Sequence, residues 1–107
     1  MTAAHATPTL GICVATNRNM AHVIGLTKAA KAAGKAVKVF FTGEGVLLTQ
    51  DPRIAELTGI AKVMLCEVSY HAAGLKGKEV PGLGFKDYAT QGKNAEMVDE
   101  CERYVIL

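Results

Sequence analysis

The stretch KVMLCEVSYHAAGL, residues 62–75, puts a thiol, two hydroxyls and an imidazole within six positions: Cys66, Ser69, Tyr70 and His71. An apolar run with strand character gives way at Cys66 to a helix-like segment. A thiol at that junction lies near the free backbone N–H groups of a helix start, which stabilise negative charge and favour the thiolate. Ser69 is placed to cap the segment that follows, and His71, folded back, would add a second push. That is the microenvironment of a reactive sulfur. The same residue also fits as a small core hydrophobe, because free cysteine is among the most buried residue types. Residue chemistry leaves both readings open.

Other residues define what could assist. Asn17 and Arg18 follow the first apolar run and would come to the same sheet edge if the strands are neighbours. Arg18 there would favour an anionic sulfur. Cys13, between Ile12 and Val14, reads as core, and Cys101 as part of the apolar face of a late helix. A thiol redox enzyme would need one of them beside Cys66 as a resolving partner. No two cysteines have CxxC spacing or the usual zinc-ligand spacing, so no metal is expected. TGEGV, 42–46, has neither GxGxxG nor GK[ST] and reads as a turn, so no cofactor is expected. Tyr70 and Tyr88 read as packing or interface residues.

These residues need elements to hold them. LGICVAT, 10–16, reads as a buried strand. A helix follows, with Met20, Val23, Ile24, Thr27 and Ala30 at helical spacing, Asn19 as N-cap and Gly34 just past its end. AVKVFF, 36–41, is a second strand, and the unit is a right-handed βαβ crossover. VLLTQ is a short helical segment. DPRIAELTG starts a helix with Asp51 as cap and Pro52 in the first position. AKVMLCEV is a third strand. Residues 76–92 form a long glycine-rich loop, with a short strand or turn around Leu83 to Phe85. NAEMVDECER is helical, capped by Asn94, with Met97, Val98 and Cys101 on one face. YVIL, 104–107, is the last strand. Strands alternating with helices predict a three-layer α/β fold: an open, mostly parallel sheet of about five strands with helices on both faces. Residues 1–8 read as a flexible tail and 9–107 as a single domain.

Composition bounds the function. Half of the 107 residues are apolar, which suits a parallel sheet covered on both faces. On so small a domain it also points to apolar surface covered by another subunit. Twelve basic residues are scattered among ten acidic ones without a basic stripe, so nucleic acid is not an expected partner. MTAAHATPT has neither the charge nor the apolar core of a signal peptide, and no apolar run approaches a membrane span. Three unpaired cysteines fit a reducing cytoplasm.

Taken in order, three stretches resemble the DsrE/DsrF-like family of small sulfur-relay proteins, which includes TusD-type subunits. They are AAKAAGKAVKVFFTGEGV (29–46), CEVSYHAAGL (66–75) and NAEMVDECERYVIL (94–107). The resemblance spans nearly the whole chain from about residue 10. It implies a flavodoxin-like domain without a flavin that assembles with copies of itself, often as trimers or hexamers. It also implies that Cys66 accepts a sulfane sulfur as a persulfide from a donor protein and passes it to an acceptor. Two features depart from the pattern: EVSYHAAG replaces the basic, alanine-rich run that follows this cysteine in transferring members, and Glu67 would oppose thiolate formation if its carboxylate lay close. The alternative on the same scaffold is a non-catalytic oligomeric binding or assembly protein, for which Cys66 would be buried and dispensable.

Overall fold

A computed structural model describes residues 7–107. The expected tail therefore lies outside the described residues except for Thr7 and Pro8, which are exposed and carry no regular structure. Five strands form one sheet: β1 (Thr9–Val14), β2 (Ala36–Phe41), β3 (Lys62–Cys66), β4 (Tyr88–Ala89) and β5 (Arg103–Ile106). Their order is β4-β3-β2-β1-β5, and every pairing is parallel. The fold is thus a three-layer α/β open sheet.

The chain steps from β1 to β4 in one direction and then returns past β1 to lay down β5. Right-handed crossovers put the connections of the first three steps on one face and that of the return step on the other. Accordingly α1 (Met20–Ala32), α2 (Ala55–Thr58) and α3 (Glu67–Ala72) share one face, and α4 (Gln91–Glu100) covers the opposite face alone.

Strand alternation sorts the side chains between these two layers. Leu10, Ile12, Val14, Val37, Val39, Phe41, Val63 and Leu65 join the buried residues of α1, Met20, Val23, Ile24 and Ala30, in the larger core. Phe40, Met64 and Cys66 point the other way and meet Met97 of α4. Gly11 is small for a reason on this side: a Cβ there would come within 2.9 Å of Cys101 Sγ.

Helix signals were legible where caps and period agree. Gly34 takes φ 82° just past α1, and Asp51 accepts from the Arg53 N–H at 2.9 Å before Pro52. The segment between β2 and α2 is a 3-10 helix, Gly43–Gln50, where a Cβ on Gly45 would overlap the Val14 carbonyl. Asn19 occupies the N-cap of α1, but its side chain turns to Thr16 Oγ1 instead of the helix.

Four expectations are corrected. Ser69 does not cap α3, because the helix already begins at Glu67 with extended Cys66 in the cap position. The extra strand does lie within 76–92, but at Tyr88–Ala89 and not around Leu83 to Phe85, where the chain runs into the 3-10 turn Phe85–Asp87. Thr90, not Asn94, caps α4: its hydroxyl accepts from the Gly92 N–H at 3.2 Å, and Asn94 instead accepts from Tyr104 Oη at 2.7 Å. Val98 is 54% exposed, since α4 rests on the sheet through Met97 and the following Cys101, and Val98 lies a further 100° round the helix.

The 73–87 loop is tied down. Tyr70 Oη donates to Lys78 O at 2.9 Å, the Val80 N–H donates to Tyr88 Oη at 2.9 Å, and the two rings meet edge to face at 5.5 Å. Both tyrosines are therefore packing residues. Asp87 receives Lys62 Nζ and the Gly84 N–H, the latter at 2.8 Å.

Candidate functional site

In an open α/β sheet, the crevice forms at the carboxyl edge where neighbouring strands send their chains to opposite faces. Here that pair is β3 and β4: β3 leads into α3 on one face, β4 into α4 on the other. Cys66 is the last residue of β3 and pairs in register with Ala89 of β4. The thiol therefore stands at the topological switch point.

Cys66 as a residue is 4% exposed, and polar groups lie around its sulfur. Burial pushes the Cys66 thiol up, but the polar groups around it, the Ser69 hydroxyl and N–H, the Gln91 side chain and the Val68 N–H, outweigh it, and the net displacement is downward. The backbone N–H groups act as oriented dipoles at the start of α3, since the geometry falls short of a full capping bond. Ser69 is itself oriented: its Oγ accepts from the Gly43 N–H at 3.0 Å, which leaves its proton free for the sulfur. Gln91 Nε2 donates to Thr42 Oγ1 at 2.8 Å. No charged group figures among the causes of the Cys66 shift.

The other expected residues lie apart from the sulfur. His71 and Glu67 face one another across one turn of α3 at 3.9 Å, both well exposed, so His71 is not folded back onto Cys66. Glu67 is occupied with the same pairing. Lys93 and Glu96 of α4 likewise pair at 3.4 Å. Asn17 and Arg18 are exposed at the same edge of the sheet, but beyond β1, which β2 separates from β3. Two strand spacings put them roughly 10 Å from the end of β3. No hydrogen bond among the described residues joins either to the Cys66 cluster.

The remaining thiols have different surroundings. Cys13 lies two strands across from Cys66 and two residues earlier in register, about 12 Å between Cα atoms and past the ~7 Å reach of a disulfide. Cys101 follows the far end of α4, about 15 Å along the axis from Gln91. Neither is a resolving cysteine for Cys66. Burial pushes the Cys101 thiol up, and Lys38 offsets only part of it. Partial burial, with the Cys13 thiol beside it, pushes Tyr104 up to about 12. Among the described residues no group of His, Cys, Asp and Glu is arranged to hold a metal ion, and no helix is long and apolar enough to cross a membrane.

A groove of about 520 Å³ runs between the Gly43–Gln50 segment and α3, lined by Gly43, Glu44, Leu47, Ser69, Ala72 and Ala73. Gly43 and Ser69, hydrogen-bonded to one another, are common to this groove and the Cys66 cluster. Thr42, Gly43 and Gln91 carry no chemical signature in the sequence. They become site residues only once β4 is known to lie beside β3. No protein-family model matches the chain, and no curated protein matches it.

Proposed function

We propose that this protein is a sulfur-relay protein of the DsrE/DsrF-like kind that carries sulfane sulfur as a persulfide on Cys66. The observation that carries the reading is the arrangement around that thiol: the switch-point position together with donors from Ser69, Gln91 and the first turn of α3, which lower its pKa against burial. The Cys66 thiolate attacks the outer sulfur of a donor persulfide, R–S–SH. The donor S–S bond breaks, the donor leaves as R–S⁻, and Cys66 becomes Cys–S–SH. An acceptor thiolate then attacks the same outer sulfur and restores the Cys66 thiolate. Both steps are displacements at sulfur and need neither an oxidant nor a second cysteine. The donors that hold the thiolate also suit the anionic persulfide. Ser69 is the supporting residue in this reading, while His71, Asn17 and Arg18 act at most on an approaching partner. The carrier works in a reducing cytoplasm as a homo-oligomer, trimer or hexamer, between a donor and an acceptor protein. Exposed Phe85, Val68 and Ile106 are apolar surface that such an assembly would cover.

One observation favours the second reading, a non-catalytic oligomeric binding or assembly protein: Cys66 is 4% exposed. Intact-mass measurement after incubation with a persulfide donor separates the two. The carrier gains one sulfur, reversibly by reductant, and Cys66→Ser gains none. An assembly protein gains none in either form.

A further inference from the structure

A thiol that exchanges sulfur must be reached by a second sulfur, and Cys66 is covered. The cover has an identifiable part. Gln91 follows β4, Thr42 follows β2, and β3 lies between those two strands. The 2.8 Å bond from Gln91 Nε2 to Thr42 Oγ1 must therefore pass over the carboxyl end of β3, where Cys66 sits. The bond itself is exposed, whereas Cys66 is buried. The two ends of this bridge differ. Thr42 is fixed, because its own N–H donates to Val14 O at 2.9 Å and the next N–H, on Gly43, donates to Ser69 Oγ. Gln91 is the first residue of α4, and the only fully buried side chain of that helix is Met97, six residues on. The first turn of α4 is held by the Gly92 N–H bond to Thr90 Oγ1, by the Tyr104 Oη bond to Asn94 Oδ1 and by this bridge.

We propose that the Gln91–Thr42 hydrogen bond is a strap that gates access to Cys66: closed, it shields the thiol, and it opens when the exposed Gln91 side chain swings away from Thr42. The inference rests on the reading of Cys66 as a working thiol. Opening costs the exposed hydrogen bonds of the Gln91 side chain, to Thr42 and the weak one from Asn94, and does not disturb the larger core. The Cys66 sulfur then becomes reachable from the α4 side of the crevice, while Ser69 stays in place from the α3 side to hold the charge.

The test is the rate of Cys66 alkylation by iodoacetamide, resolved by mass spectrometry and measured above the thiol's titration midpoint. The sulfur is fully ionised there, so loss of a donor no longer slows the reaction. Gln91→Ala and Thr42→Val each raise this plateau rate by about three- to tenfold, the factor expected from one net hydrogen bond. The double variant is no faster than the quicker single one, because both remove the same bond. Urea midpoints are measured alongside. A plateau rate unchanged in both variants, or one that rises only in step with lost global stability, overturns the strap. Persulfide loading of the wild type is scored separately. A wild type that never gains sulfur, in a protein whose variants still show the faster alkylation, overturns the carrier and leaves the strap standing.

Discussion

Cys66 and Cys101 are both part of the thinly covered face of the sheet, yet their thiols are displaced in opposite directions. Burial raises both. Only Cys66 has hydrogen-bond donors enough to reverse it. The sequence singled out Cys66 by its place at the end of an apolar run, and Ser69 by its spacing, although Ser69 acts on the sulfur and not on the helix start. His71 does not fold back onto the sulfur, because residues five apart diverge along a helix, whereas Glu67 and His71, four apart, meet. Gln91 could not be found from spacing, since its role depends on a two-residue strand. One prediction belongs at this scale. Ser69→Ala removes a donor that favours the ionised sulfur, so the midpoint for Cys66 alkylation moves to higher pH and the rate at neutral pH falls. An unmoved midpoint would mean that Ser69 does not act on the thiol.

The elements divide by how locally they are specified. α1 and β2 were legible because period, cap residues and turn glycines agree over a short stretch. α4 and β4 were not. The spacing points to Asn94 as the cap of α4, but Asn94 accepts from Tyr104 and the cap falls to Thr90, four residues earlier. β4 consists of Tyr88 and Ala89 and exists because the loop before it is pinned against β3. Asp87 is central to that pinning. Burial raises its carboxyl, but Lys62 and the Gly84 N–H more than compensate and hold it below the ordinary carboxylate range. A lowered pKa in the folded state means stability that is present above the unfolded value and lost as pH falls through the folded one. Asp87→Asn should therefore cost about 1–2 kcal/mol at neutral pH, at the modest end because Lys62 is 58% exposed. Urea midpoints should also fall less steeply below about pH 4 in Asp87→Asn than in the wild type. Parallel acid profiles would remove Asp87 from the account.

At the scale of the whole molecule, alternation of strands and helices was enough to give the parallel three-layer sheet. The strand order was not legible, because periodicity does not say on which side of β1 the last strand returns. That return has two consequences. It makes β3 and β4 the switch point, which puts Cys66 in the crevice, and it leaves one ten-residue helix to cover a five-strand face. Ile106, which pairs in register with Cys13 on that face, is 66% exposed. Light scattering coupled to size exclusion should give a trimer or hexamer of the 11.3 kDa chain. A monomer at tens of micromolar would remove self-assembly from the proposal while leaving the thiol chemistry untouched.

The claim on which the rest depends is that sulfur is carried on Cys66 and on no other thiol. Peptide mapping of the folded protein after brief exposure to a persulfide donor tests it most directly, with persulfides trapped by alkylation before digestion. The account predicts one added sulfur on the peptide containing Cys66, with Cys13 and Cys101 unmodified. Sulfur on Cys101 or Cys13 instead, or on none of the three while Cys66 also resists alkylation, would contradict it and make Cys66 a core residue.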